Sequence, residues 1–371
     1  MNIKNQQYLE ESINNYLSTL KIDGENFKYL ITNSQNVTKA GANLELGFSC
    51  FALKIKFILN SKDLTSNTKK EWADYINNFQ ENIDPFPDAS YIDKNFLNEH
   101  KKFNLEKATK NQLKKLFNTT LRKNFLLNDE KLYTYISAES KQAISTISEI
   151  GFYPKKKYTS FPQTKSQIYN YLDSFDWSNP WSAGAQFSSI CLFTQTQLEN
   201  NEETIKELSS YIKTKLDRET GFYHTKKNIS DNVLINGAMK VITGLDWINE
   251  EIHYPNKIID YILNTKITNE ACDLVDLVYV LFKSLEYSDY RYDEIIEFMS
   301  RIESVLFQNF QSKDGSFSYS KNKSQKYYYG LVVTKEKQFA DLHGTLLLLW
   351  AYTLILETKK LNKRDWKIIK P

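Results

Sequence analysis

Gln311-Ser312-Lys313-Asp314-Gly315-Ser316-Phe317 is the stretch on which the fold turns, because it returns in altered form elsewhere. Asn309-Phe310-Gln311, followed by Asp314 and Phe317, echoes Asn78-Phe79-Gln80, followed by Asp84 and Phe86. A looser copy, Asp217-Arg218-Glu219-Thr220-Gly221-Phe222, lies between them. Each phrase closes one helical stretch and is followed by another, so the chain reads as repeated helix hairpins. Within the phrase each residue has a physical task. Gly315 turns the chain after a helix, Asp314 caps the turn, the Phe317 ring packs over the helix end, and Gln311 satisfies loose backbone groups.

Helical periodicity dominates on both sides of these phrases. Apolar residues recur three and four apart over 7–20, 44–59, 69–79, 140–150, 182–198, 201–216 and 231–242. The pattern continues over 255–263, 269–285, 293–310 and 339–356. The best strand candidate, Tyr327 to Val333, predicts a short hairpin inside a loop. Two kinds of helix alternate. Phe48–Ile58, Ala185–Phe193, Leu274–Phe282 and Leu346–Leu356 are apolar on every face and therefore expected to be buried on every face. Asn201–Leu216 and Asp293–Phe310 carry Lys and Glu along one side and are expected to be half-exposed. Buried helices alternating with half-exposed ones predict two concentric layers. The expected fold is all-α, an α/α toroid spanning residues 1–371 as a single domain, with an open solenoid of the same hairpins as the alternative.

Composition limits the function classes. The 371 residues are 41% hydrophobic and 14% aromatic, enough for a large core. The 48 basic and 45 acidic side chains leave a net charge of +3, so no strong field draws in nucleic acid. Cys50, Cys191 and Cys272 are odd in number and widely spaced, which fits a reducing compartment better than a disulfide framework. The first residues lack the apolar core of a signal peptide, and the greasiest run, Leu346–Leu356, is too short to cross a bilayer. The expectation is a cytoplasmic chain without a membrane span. Residues 83–131 read as an irregular basic subregion through Lys101, Lys102, Lys107, Lys110, Lys114 and Lys115, and the basic end, 359–371, is expected to fray.

Gln311-x-x-x-Gly315-x-Phe317 resembles the QxxxGxW repeat of squalene–hopene cyclases and the related turns of protein prenyltransferase β subunits, with Phe for Trp. Asp341-Leu342-His343-Gly344-Thr345 resembles the Asp-x-x-His-Thr segment that opens an inner helix in those β subunits, with spacing one residue shorter. The likeness covers mainly residues 200–357 and implies an α/α toroid with an isoprenoid-like substrate. The family's chemistry does not carry over. Its zinc ligand set needs an Asp and a Cys two residues apart. Asp231-Asn232-Val233 has no thiol there, and Cys272-Asp273 has the wrong spacing, so no metal is expected. An Asp-x-Asp-Asp acid is approached only by Asp273-Leu274-Val275-Asp276, and an Asp-Asp-x-x-Asp motif is absent.

If the inner helices run parallel, their starts gather at one mouth of the ring, where free N–H groups favour anions. The candidate catalytic residues there are His343, Asp276, Asp273 and Asp341. The candidate substrate-binding residues are Trp177, Asn179, Trp181, Asp231, Asn236 and Tyr328. Asp273 and Asp276 lie three apart, on one helical face within an apolar segment, where burial raises a carboxyl pKa and makes a general acid. Trp177 and Trp181 are candidates for a stacking wall against a sugar ring or an isoprenoid tail, against core or turn packing as the more ordinary role of such rings. Asp231 and Asp341 also stand where an N-cap belongs. Three functional classes remain open: an enzyme acting on a small or isoprenoid-like substrate, a carbohydrate-active hydrolase or lyase with paired carboxylates, and a non-catalytic binding or scaffold protein. The partner expected is a small molecule or glycan.

Overall fold

The computed structural model describes residues 5–102, 112, 114, 128–226 and 228–371. Among them are fourteen α-helices and three two-stranded antiparallel pairs, so the chain is mostly helical. The helices are α1 (Gln6–Leu20), α2 (Lys39–Asn43), α3 (Leu46–Ile58), α4 (Ser66–Asn77), α5 (Lys94–Lys101), α6 (Asn128–Glu149) and α7 (Lys165–Asp173). They continue as α8 (Pro180–Gln197), α9 (Glu202–Lys213), α10 (Asp231–Trp247), α11 (Pro255–Leu263), α12 (Ala271–Leu285), α13 (Tyr292–Leu306) and α14 (Leu342–Thr358). The strand pairs are β1 (Gln80–Glu81) with β2 (Ser90–Tyr91), β3 (Phe310–Gln311) with β4 (Ser316–Phe317), and β5 (Tyr327–Tyr328) with β6 (Leu331–Val332). Most of the expected helices lie within a few residues of where periodicity put them. Periodicity missed α2, α5 and α7, which are short.

Local chemistry sets the helix starts. Asn5, Thr38, Thr65, Asp93 and Asp341 each accept a backbone N–H as N-cap, and Thr164 with Gln167 forms a capping box ahead of α7. Pro180 and Pro255 occupy the first turns of α8 and α11, where the missing N–H costs nothing.

The recurring phrases turn the chain as the sequence suggests, except that the Asp314 carboxylate accepts the N–H of Ala340 at 2.6 Å instead of capping its own turn. After α13 the chain folds back through β3 and β4. Gly315 sits at φ +75°, its N–H bonds Gln311 O at 2.8 Å, and Gln311 Nε2 donates to Ser318 Oγ at 2.9 Å. Phe317 is buried against Phe307 and Phe310. Corresponding turn-backs follow α4, through β1 and β2, and α9, through the Leu216–Tyr223 bridge. A fourth, Lys21–Tyr29 after α1, had no recognisable phrase. The expected hairpin at 327–333 is present, with Tyr329 and Gly330 both at positive φ, as a tight two-residue turn requires.

Six helices pack in sequence: α3 on α6, α6 on α8, α8 on α10, α10 on α12 and α12 on α14, with α14 returning to α3. Neighbours run parallel where side chains mark the register. Asn232 meets Asp273, Asn236 meets Asp276, and Asp246 meets Lys283 along α10 and α12. Gly237 packs on Pro180 and Gly244 on Phe187, so α8 and α10 also run side by side in one direction. Outside this circuit, α4 lies on α3 and α6, α7 and α9 lie on α8, and α11 and α13 lie on α12.

The end of the chain corrects an expectation. It does not fray. Lys367 N–H bonds Ile58 O at 2.7 Å, and Lys370 Nζ reaches Asp246 O at 2.9 Å. The Lys370 N–H also bonds Glu149. Trp366 and Ile369 are buried. Ile58, Glu149 and Asp246 lie at or near the final residues of α3, α6 and α10, so the tail runs across the ends of these three helices. Lys107, Lys110 and Lys115 of the basic subregion lie outside the described residues. No helix among the described residues is long and apolar enough to cross a membrane.

Trp366→Ala is expected to destabilise the protein by about 3 kcal/mol, as for other buried aromatic truncations. Chemical denaturation reads this directly, and a loss near zero would mean that the tail is only loosely attached. Gly344→Ala is expected to be at least as damaging, because an added Cβ would collide with the backbone of Ser318 and Tyr319.

Candidate functional site

The starts of α10, α12 and α14, with the middle of α6 and the first half of α3, bring polar side chains together in the interior. The cluster begins at Asp276 on α12. Its carboxylate accepts Asn236 Nδ2 from α10 at 2.5 Å, and only 2% of the residue is exposed. Burial pushes the Asp276 carboxyl up to about 7, against the pull of Lys240. Near neutral pH it is therefore shared between acid and base, the condition for proton transfer. One turn earlier, Asp273 accepts from Asn232 at 3.0 Å and from Thr268 at 2.7 Å. Asp273 and Asp276 border a small cavity of about 10 Å³ with Asn232, Asn236, Lys266 and Thr268.

His343 lies on the first turn of α14, between two rings. Phe51 stacks on it at 4.8 Å and Tyr319 at 5.6 Å. Desolvation, with Lys240 adding like charge, holds its imidazole down to about 3, so it is neutral. Its Nδ1 is buried and has no hydrogen-bond partner among the described residues. A neutral imidazole with an unused nitrogen can accept or donate a hydrogen bond to a bound molecule.

Tyr328 arrives from the β5–β6 hairpin. Its hydroxyl packs over Gly47, at the start of α3, and donates to Glu139 Oε1 of α6 at 3.0 Å. Phe48, Phe51 and Phe96 surround the ring. Burial, with Asp93 adding like charge, holds the Glu139 carboxyl well above the carboxylate range, and its Oε2 has no partner among the described residues. Glu139 was not singled out in the sequence. Its helix reads there as a mixed, amphipathic segment, and only the tyrosine lying across it marks the residue.

The remaining candidates divide. Asp341 is structural: its carboxylate accepts the N–H groups of Gly344, Tyr319 and Gln325 at 2.8, 2.8 and 3.0 Å. Burial still lifts it to about 6, partly offset by those donors. Asp231 is the first residue of α10 rather than its cap, which is Ser230, and it accepts a bond from Tyr261 at the surface. Trp177 and Trp181 do not form a wall. Trp177 is buried, with Nε1 bonded to Leu172 O at 2.9 Å, whereas Trp181 is 50% exposed. They stand on opposite sides of the α8 start, one turned into the core and one to solvent. Asn179 instead borders a cleft of about 870 Å³ with Tyr133, Tyr171, Phe175, Asp176 and Gln186, apart from the His343 and Asp276 cluster.

No group of three or more His, Cys, Asp or Glu side chains able to hold a metal ion occurs among the described residues. Cys50 and Cys272 are held up to about 12 by burial, which leaves them thiols rather than thiolate ligands or nucleophiles. No family model, curated protein or solved structure matches the chain.

The Asp276 shift has a signed consequence. A folded-state pKa raised above the unfolded value favours folding most at low pH, and that advantage is lost as pH climbs from about 4 to about 7. Asp276→Asn keeps the hydrogen-bond acceptor and cannot ionise. Its stability relative to wild type is expected to rise over that window, by at most a few kcal/mol at roughly 1.4 per pKa unit. Denaturation at pH 4, 5.5 and 7 measures it, and a pH-independent difference would mean that Asp276 ionises freely in the native state.

Proposed function

We propose that the chain is an α/α toroid whose inner helices surround a ligand pocket, and that it acts on a small molecule with an apolar, isoprenoid-like body. What carries this reading is that three of the fourteen buried side-chain atoms left unpaired among the described residues, His343 Nδ1, Glu139 Oε2 and Asn236 Oδ1, lie beside Asp276 and Tyr328. Buried polar groups are almost always satisfied, and those that are not call for a role. These three come from three inner helices and belong to one cluster. Asp276 would supply the proton. Neutral His343 would accept or donate a hydrogen bond to the bound molecule, and Tyr328 with Glu139 would be a fixed donor pair. Phe51, Tyr319 and the rings around Tyr328 would form the apolar wall, and no step requires a metal.

The competing readings fit less well. A scaffold would satisfy His343 and Asp276 through local backbone, yet Asp276 depends on a side chain from another helix and His343 Nδ1 on nothing. A glycosidase would set two carboxyl groups facing each other across an open groove. Here Asp276 and Glu139 are buried, each with its own side-chain donor.

Native mass spectrometry of the purified protein tests the proposal. Wild type is expected to retain a small molecule that His343→Ala loses, at unchanged fold by circular dichroism. Equal retention and equal thermal behaviour in the two proteins would remove His343 from the site.

A further inference from the structure

The interior holds more lysine than its neighbours neutralise. Lys54 of α3, Lys141 of α6 and Lys240 of α10 come from three of the six inner helices. Among the described residues none has a carboxylate at ion-pair distance, and Lys54 Nζ donates a hydrogen bond to Ser145 Oγ at 3.1 Å. Lys54 is almost wholly buried, and Lys141 and Lys240 are half-buried.

The three form one electrostatic unit. Lys240 and Lys54 both act on Lys141, and Lys240 also acts on His343, Asp276 and Cys272. The carboxyls that face them offer little compensation. Glu139, Glu149 and Asp276 are each pushed toward the neutral acid by burial. Lys54 and Lys240 lie about two turns below the starts of α3 and α10, so the feature is separate from the helix ends. Burial draws Lys54 and Lys141 toward the neutral amine as well, Lys141 down to about 7, and charging an interior amine is costly unless something anionic joins it. Desolvation also strengthens their attraction for such a group far beyond its value in water.

We propose that Lys54, Lys141 and Lys240 bind the head of a small ligand bearing two or more negative charges on oxygen, a phosphate or a pair of carboxylates. This deepens the pocket reading and rests on it. Lysine suits the task as a compact point charge on a flexible stem, able to adjust to a tetrahedral or a planar oxyanion. Bound there, the anion would neutralise the cluster, with its organic body left to the rings around His343.

Thermal unfolding of the full chain in inorganic pyrophosphate, in succinate and in sodium chloride, at matched ionic strength, tests the assignment. One of the two multivalent anions is expected to raise the Tm by roughly 5 °C at saturation, with chloride inert. Which of the two acts identifies phosphate or carboxylate as the ligand chemistry. Lys141→Met and Lys240→Gln are expected to keep or raise the ligand-free Tm, because an unpaired interior charge is removed, and to abolish the anion's effect. Those opposite signs separate lost binding from lost folding. An equal anion shift in wild type and both variants would place the anion on the surface and overturn the proposal. So would the absence of any anion-specific shift. If the wild type then still retained an uncharged molecule in native mass spectrometry, the pocket would stand and only the lysine assignment would fall.

Discussion

The Asp341 carboxylate is the tie on which the arrangement of the interior depends. One oxygen caps α14 through Gly344, and the other takes the N–H groups of Tyr319 and Gln325. A single buried side chain thus joins the start of the greasiest helix to the turn-back after α13 and to the loop that leads into β5. Tyr319 is held over His343 as a result, and the hairpin carrying Tyr328 is held over Gly47 and Glu139. Losing one acceptor would free three backbone donors in a buried place, each at a cost of about 1–3 kcal/mol. Gly344 completes the junction, since the backbone of Ser318 and Tyr319 occupies the space a Cβ would need.

Around that tie the interior combines two demands that conflict. The circuit of α3, α6, α8, α10, α12 and α14 is closed by apolar packing, in which Trp350 meets Tyr279 and Phe187 meets Gly244. Into the same volume the chain puts Lys54, Lys141, Lys240, Asp276, Glu139 and His343. Burial shifts most of these toward their uncharged forms, which lowers the cost but does not abolish it. A core evolved for stability alone would carry apolar residues of similar volume at these positions. The tail, with Trp366 and Ile369 buried and Lys370 bonded to Asp246, lies across the ends of α3, α6 and α10.

Much of the fold was legible in advance because it is written locally. Gln311, Gly315 and Phe317 form a turn whose chemistry does not depend on distant residues. Helices such as Leu346–Leu356, greasy on every face, can only be interior. The two helices of the circuit that escaped this reading are α6 and α10. Lys141, Gln142, Asn236 and Lys240 make them look half-exposed, although the polar side faces inward. Periodicity reports that a helix has a polar face and is silent on whether that face meets solvent or a hollow. The same limit explains Trp177 and Trp181. Their spacing suggested one wall, but Pro180 starts a helix between them that turns one ring into the core and the other outward.

By itself the sequence determined the all-α class, the positions of most helices, the turn-backs that end α4, α9 and α13, and the acidic pair on α12. These follow from propensity, periodicity and turn stereochemistry, all of which act over a few residues. Only the tertiary structure decided which polar residues meet. Asn236 reaches Asp276 across 40 positions and Tyr328 reaches Glu139 across 189. It also gave Asp341 a structural task and left the His343 nitrogen unpaired. The charge state of a carboxyl, an imidazole or an amine is set by whatever surrounds it in space, and chain spacing carries no record of that.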